Sequence, residues 1–363
     1  MLLFLVIGCN TLPVGEDGLG RVPGADSLTF IPDSSAGLAR YAVLGAADTM
    51  LLGRDDGYVS RVLINFELPD SALDSITRVQ LILYPTDSTR MEFVCYPCTV
   101  GWDAGAATWR VADSSTHWLN PGGDFDSTTT VCRDTLLNDS LVIEIDPGLM
   151  PELVRESFGM ILLPLDSGFA GISSGFSLAN SPRIRIYRGE DEENISTINA
   201  IEDTHIVDTL GVNAGPGEQR VGSGFAFRTW LYFNLDSIPS EATIARAELR
   251  FIPVIEHRRD DTLRLGIRRL LEPFDRYRRN PVFADAPSGR LEYIIASESV
   301  PTATIDIDLL IQYWTAHPDS NFGLLIVAEP EWADFFRMRL PGSGANAPQL
   351  NVLYALPPTG RFW

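Results

Sequence analysis

Short stretches in which apolar and polar residues alternate recur along almost the whole chain. Gln80 to Tyr84, Glu248 to Ile252 and Leu263-Arg264-Leu265-Gly266-Ile267-Arg268 each repeat with period two, the spacing at which one face of a β-strand is buried and the other is wet. Arg61-Val62-Leu63-Ile64-Asn65-Phe66-Glu67-Leu68 is apolar at nearly every position, as expected of a strand covered on both faces. Asp55-Asp56-Gly57, Pro69-Asp70-Ser71 and Pro121-Gly122-Gly123 supply the turns between such stretches. Only Pro151 to Glu156 and Leu309 to Ala316 read as short helical turns. Strands at this spacing without crossover helices predict an all-β chain of antiparallel, jelly-roll-type β-sandwich architecture.

The pattern occurs twice. Arg61 to Leu68 aligns with Arg228-Thr229-Trp230-Leu231-Tyr232-Phe233-Asn234-Leu235, and Ile76 to Pro85 with Ile244 to Pro253. Ile143-Glu144-Ile145-Asp146 aligns with Ile305-Asp306-Ile307-Asp308, Phe158-Gly159 with Phe322-Gly323, and Ala179-Asn180-Ser181-Pro182 with Ala345-Asn346-Ala347-Pro348. The offset stays between 162 and 168 through all five blocks, in unchanged order. Two tandem sandwiches are therefore expected. The first spans 24–189, an acidic linker (Gly189-Glu190-Asp191-Glu192-Glu193-Asn194 at its start) covers 190–200, and the second spans 201–355, with a tail at 356–363. A chain of 363 residues is also too long for one ordinary core.

Composition narrows the partners. The net charge is −20 and every one of the 28 basic residues is arginine. Phosphate backbones are bound by positive surfaces, so nucleic acid is excluded as an expected partner. An acidic surface suits an extracellular environment and tolerates divalent cations.

The start of the chain reads as an address. Leu2 to Gly8 is an apolar run followed by Cys9, and it resembles the bacterial lipoprotein signal, in which a small residue precedes a cysteine that is acylated. The resemblance implies a signal over 1–9, lipidation at Cys9, a tether over 10–23 and membrane attachment through lipid alone, because the run is too short to span a bilayer. It lacks the basic residues that normally open such a signal. Near the other end, Leu356-Pro357-Pro358-Thr359-Gly360 spells a sortase signal, but the apolar span and basic tail that complete one are not there.

Three cysteines remain. Cys95-Tyr96-Pro97-Cys98 has redox spacing but lies in a β-type stretch rather than at a helix N-terminus. A structural disulfide from Cys95 or Cys98 to Cys132 is expected; zinc held by the three thiols with His117 is the alternative.

Leu52-Gly53-Arg54-Asp55, Ser60-Arg61 and the Phe66/Leu68 strand resemble the DNRLRE-domain family. So do Trp102, Ala107-Thr108-Trp109, Trp118 and Pro121-Gly122-Gly123-Asp124-Phe125-Asp126. That family comprises β-sandwich domains related to carbohydrate-binding modules in bacterial surface and secreted proteins. The second half keeps the strand framework but lacks the Trp109 and GGDFD blocks, with Phe274-Asp275 standing near the place of Trp102-Asp103. The resemblance implies fold and location; fold alone does not fix a ligand.

Three groups of residues are candidate sites, each with a plain structural alternative. Trp102, Trp109 and Trp118 form either an exposed platform for sugar rings or a plug at the end of the sandwich. Asp124 and Asp126, with Asp103, offer carboxylates for calcium, or simply bond the N–H groups of their own turns. Eight arginines lie between Arg258 and Arg279. Among them Arg264 and Arg268 share a strand face and either grip an acidic glycan or partner protein, or pair with nearby carboxylates. Catalysis finds no nucleophile elbow, phosphate loop or pair of histidines at metal-ligand spacing. The expectation is a non-catalytic cell-surface lipoprotein that binds polysaccharide or another surface component. A purely structural spacer, which requires buried tryptophans and a large apolar contact between modules, is the alternative, and a glycan-degrading enzyme the third.

Overall fold

The computed structural model describes residues 25–357 apart from 56, 70–74, 138–139, 156, 177–179, 190–193, 210–217, 276–280, 296–299 and 333–334. The signal, Cys9, the tether, Arg276, Arg278, Arg279 and most of the tail lie outside the described residues. No described helix is long and apolar enough to cross a membrane.

In chain order, β1 (Ala25–Phe30) and β2 (Ser34–Tyr41), two consecutive strands that enter opposite sheets, precede β3 (Thr49–Asp55), β4 (Tyr58–Asn65), β5 (Ile76–Leu83), β6 (Met91–Pro97), β7 (Cys132–Leu136) and β8 (Leu141–Ile145). Helix α1 (Met150–Arg155) leads to β9 (Met160–Pro164), β10 (Gly168–Ser173), β11 (Arg183–Arg188) and a second such segment of β12 (Asn194–Asn199) and β13 (Glu202–Thr209). Then come β14 (Arg220–Ser223), β15 (Phe225–Tyr232), β16 (Thr243–Phe251), β17 (Val254–Arg258), β18 (Thr262–Arg269), β19 (Gly289–Ile294) and β20 (Ala303–Asp306). Helix α2 (Asp308–Ala316) precedes β21 (Leu324–Ala328), β22 (Phe336–Arg339) and β23 (Gln349–Ala355). The two helices fall at equivalent places in the two halves, where the sequence places its helical turns.

All strand pairings named below are antiparallel, and each half forms a two-sheet sandwich. In the first, β10-β3-β4-β9-β6-β7, with β13 on β4, faces β12-β11-β5-β8. In the second, β17-β22-β14-β15-β21-β18-β19, with β2 on β15, faces β1-β23-β16-β20. Val62, Ile64, Leu81, Phe93, Leu162 and Ile184 fill the first core, and Leu231, Phe233, Leu249, Leu265, Ile326 and Val352 the second. The unbroken apolar run of β4 now has its reason. Val62 and Ile64 point into the sandwich, while Leu63 points outward under a further buried layer with Ile161 and Ile206.

The packing units are out of phase with the sequence repeat. The two-strand segment Asn194–Thr209 continues the first sandwich: β12 pairs along β11 (Arg183↔Asn199) and β13 along β4 (Glu202↔Asn65). Its equivalent at the start of the chain pairs with the second sandwich instead. There β1 lies on β23 (Ala25↔Ala355) and β2 runs the length of β15 (Tyr41↔Phe225, Ser34↔Tyr232). The first packing unit is thus 42–209, and the second is 220–355 completed by 25–41. The boundaries read from the repeat, 24–189 and 201–355, are displaced by one such segment, and the stretch expected as a linker is largely strand. Repeat phase records where similar segments lie along the chain; which groove a segment enters depends on contacts between residues hundreds of positions apart.

Candidate functional site

The three tryptophans plug the fold. Trp102, Trp109 and Trp118 are 8%, 7% and 5% exposed and form one layer with Leu63, Ile161 and Ile206 on the outer face of the larger first-module sheet. Their polar atoms are used internally: Trp102 Nε1 donates to Phe158 O at 2.9 Å and Trp118 Nε1 to Thr108 O at 2.8 Å. The Arg61 guanidinium lies 4.8 Å from the Trp109 ring centroid and donates to Gly122 O at 2.8 Å. Gly122 and Gly123, with φ of 95° and 102°, are required here. A Cβ on Gly122 would meet Trp109 Cζ2 at 2.6 Å, and one on Gly123 would meet Ile161 Cδ1 at 2.7 Å. The platform reading is corrected: a buried indole has no face to offer a sugar.

The second module covers its equivalent surface with different residues. Trp230, aligned with Leu63, stacks on Phe274 at 4.2 Å between ring centroids and donates from Nε1 to Phe322 O at 3.0 Å. Leu63 with Trp102 has become Trp230 with Phe274, and the indole bond to the carbonyl of the residue before the turn glycine is retained.

The three aspartates do not converge on a cation site. Asp124 is 4% exposed and accepts from the N–H groups of Leu119 and Asn120 at 2.7 and 2.8 Å and from Asn120 Nδ2 at 2.9 Å. Asp126 accepts from Thr128 and Thr129, bonds that hold its carboxyl below the usual carboxylate range. Asp103 accepts from Gly105 N at 2.8 Å. These are turn-forming bonds. Among the described residues no group of three or more His, Cys, Asp or Glu side chains is placed to hold a metal ion.

Arg268 is engaged by Glu329, with Nη2 2.6 Å from Oε2 and 2.7 Å from Oε1, and also donates to Ala284 O. Arg264 is mostly exposed and faces Glu292 at 3.5 Å. Arg258 pairs with Asp261 at 2.7 Å, and Arg259 reaches across to Asp87 of the first module at 2.5 Å. Among the described members of the cluster, Arg258, Arg259, Arg264 and Arg268 face carboxylates of this chain, Arg264 while mostly exposed.

Cys95, Cys98 and Cys132 form no disulfide in this structure, so the expected bridge is not seen. Cys95 and Cys132 lie opposite one another on β6 and β7 inside the sandwich. Cys98 faces the other way, into the tryptophan layer, and so is not a partner for Cys132. Burial pushes the Cys95 and Cys98 thiols well above their ordinary pKa, which makes them poor nucleophiles.

Sequence reading missed two features. The first is a cavity of about 470 Å³ beside the turn between β12 and β13, bordered by Asp103, Glu202, Asp203, Gly45, Gly175 and Phe176. Asp203 is 6% exposed and accepts from Gly175 N at 2.5 Å; burial raises its pKa to about 6. Desolvation and the nearby Asp103 charge also raise Glu202. In sequence Asp203 is one of 48 acidic residues, and only the fold buries it.

The second is the junction between modules. Tyr58, Leu51 and Phe169 from the first module pack with Phe225, Phe227 and Phe335 from the second. Phe335 lies 4.8 Å from Phe169 edge-on and 5.6 Å from Tyr58, nearly parallel. Arg337 sits 5.1 Å from the Tyr58 ring centroid and donates to Glu256 at 2.9 Å. His205 is fully buried 5.9 Å from Phe335, with neither ring nitrogen bonded. Burial, reinforced by the Arg259 charge, holds it neutral down to about pH 3.

These two buried groups give opposite pH dependences. His205 binds its proton less readily folded than unfolded, so its contribution is complete above about pH 6.5 and declines as pH falls towards 3. Asp203 binds its proton more readily folded, so stability gains as pH falls from about 6 to 3.8. We expect Asp203→Asn, which keeps an acceptor for Gly175 N, to raise stability by about 2 kcal/mol at pH 7 and not at pH 3.5. His205→Leu is expected to flatten the acid limb that remains. Urea unfolding midpoints across pH 3.5–7.5 measure both, and an Asp203→Asn effect independent of pH would contradict the assignment.

No family model matches the chain, and no curated protein matches it. Among solved structures, a Parabacteroides distasonis protein described as secreted is similar at 10% identity and a TM-score of 0.17, covering 93% of this chain and 91% of that one. The tandem CBM22-1–CBM22-2 domains of Paenibacillus barcinonensis Xyn10C are similar at 10% identity and a TM-score of 0.14, covering 90% of this chain and 100% of theirs. Likenesses this low carry no functional argument.

Proposed function

We propose that this chain is a non-catalytic structural spacer of an exported or cell-surface assembly, its two DNRLRE-like sandwiches joined into one rigid body. One observation carries the reading: the two N-terminal strands complete the second module while Ala42 and Leu44, in their connection to the first, are buried in the apolar junction at 7% and 1% exposure. A linker that only tethered two independent binding modules would not need burial, and interfaces between independently moving domains are small and polar. Trp102, Trp109 and Trp118 are buried in a packed layer, and Asp103, Asp124 and Asp126 bond the N–H groups of their own turns. Calorimetry tests the reading. One cooperative transition for both modules is expected, and two transitions, assigned to separate halves by limited proteolysis, would overturn it.

A second reading, glycan binding, is favoured by the cavity beside β13. Its carboxylates accept sugar hydroxyls, and Phe176, 63% exposed at its rim, offers an apolar surface. It requires retention on a polysaccharide column that is lost with Phe176→Ala and kept with Trp109→Phe.

A further inference from the structure

We propose that the two-strand N-terminal segment Ala25–Tyr41 is a donor arm that also completes the second module of a neighbouring copy, linking chains head to tail. The proposal rests on the spacer reading and names its partner: a second copy of this chain.

The topology supplies the condition for such exchange. The arm is covalently continuous with the first module, yet among the described residues its strand partners lie in the second. Six residue pairs join β1 to β23 and eight join β2 to β15. The first module does not need the arm, because the equivalent positions on β11 and β4 are filled by β12 and β13, which follow directly in the chain. The second module does need it. Among the described residues, the place beside β23 that a following strand would take is occupied by β1, and the full length of β15 is bordered by β2. Without the arm, these edges present unpaired N–H and C=O groups, a template for a strand from elsewhere.

The contacts of the arm do not depend on which chain supplies it. Leu38 of β2 packs with Leu325 and Val327 of the second module, and Thr29 Oγ1 donates to Asn351 Oδ1 at 2.9 Å. Because Ala42 and Leu44 are buried at the junction with Tyr58 and Phe335, the arm and the first module form one docking body. An incoming copy would therefore bring both the strands and the aromatic junction. The donating surface is on one module and the accepting surface on the other, so the contact is heterologous and propagates as a filament. Closure within a chain wins when dilute, since the tethered arm has an effective concentration on the order of 1 mM. At high local density, as on a crowded surface, exchange between copies competes.

Thr29 and Asn351 are directly opposed across β1 and β23. Opposed Cα atoms lie roughly 4.5–5.5 Å apart, inside the disulfide range of about 4.4–6.8 Å, so Thr29→Cys with Asn351→Cys reports where each arm sits. Full-length chains carrying Cys9→Ser and one of the two substitutions are mixed unfolded, refolded together at ~0.1 mM, oxidised and run on non-reducing gels. A covalent dimer containing one chain of each kind, on the order of a tenth of the protein, is expected, and it should grow with concentration. The variant carrying both cysteines should give a cross-linked monomer and a ladder of higher species. A cross-linked monomer from the double variant, with no covalent dimer in either experiment, would overturn the proposal while leaving the rigid spacer intact. No cross-link in the double variant would deny the strand register and overturn it as well.

Discussion

Deleting residues 1–41 should leave the first module folded and unfold the second. The missing β1 forms six residue pairs with β23, and the missing β2 eight with β15. Each backbone hydrogen bond contributes about 0.5–1.5 kcal/mol net, so the loss is comparable to the 5–15 kcal/mol that stabilises a typical domain. Apolar cover is lost too: Leu28 and Phe30 pack on the second core, and Leu38 on its outer layer. Backbone amide exchange, read by peptide, is the measurement. Protection should vanish in β14 to β23 and persist in β3 to β13. Deleting a terminal strand from an ordinary tandem protein would unfold the module nearest that terminus. Here the distant module should fail, and loss of protection confined to β3 to β11 would refute the topology.

Phe335→Ala is expected to be the most costly single substitution at the junction. The ring is fully buried, edge-on to Phe169 and nearly parallel to Tyr58. Truncating a buried phenylalanine costs about 3–5 kcal/mol through lost transfer energy and the cavity left behind. Its contacts cross between modules, so the cost should fall on their coupling as well as on total stability. The single thermal transition should broaden or split, with the second module melting first. Asp87→Ala, which removes the partner of Arg259 across the same junction, leaves a guanidinium about one quarter exposed and should cost much less, on the order of 1 kcal/mol. Equal effects of the two substitutions would mean that charge rather than aromatic packing joins the modules.

Much of the architecture was legible along the chain. Period-two alternation marked β5, β16 and β18, the constant offset marked the duplication, and the two short helices appeared where Pro151 and Leu309 open apolar turns. The GGDFD turn was legible as a turn because glycine and aspartate carry that chemistry locally. The alternative readings of the tryptophans, aspartates and arginines could not be decided in sequence. Indole, carboxylate and guanidinium each serve packing or binding equally well, and the choice depends on whether neighbouring backbone or solvent meets them. The carbonyls of Phe158 and Thr108 and the carboxylate of Glu329 are those neighbours, brought close only by folding.

Periodicity, turn chemistry and repetition are local or translational properties, so the order of residues alone determined the strands, the all-β class and the presence of two similar units. Only the tertiary structure decided that the first two strands complete the last module, that Asp203 and His205 are buried, and that aromatic rings join the halves. Strand pairing uses main-chain groups common to every residue, and a groove accepts any segment whose apolar face fits it. Two equivalent two-strand segments therefore carry too little local information to say which sandwich each will enter; connectivity and the shape of the junction make that choice.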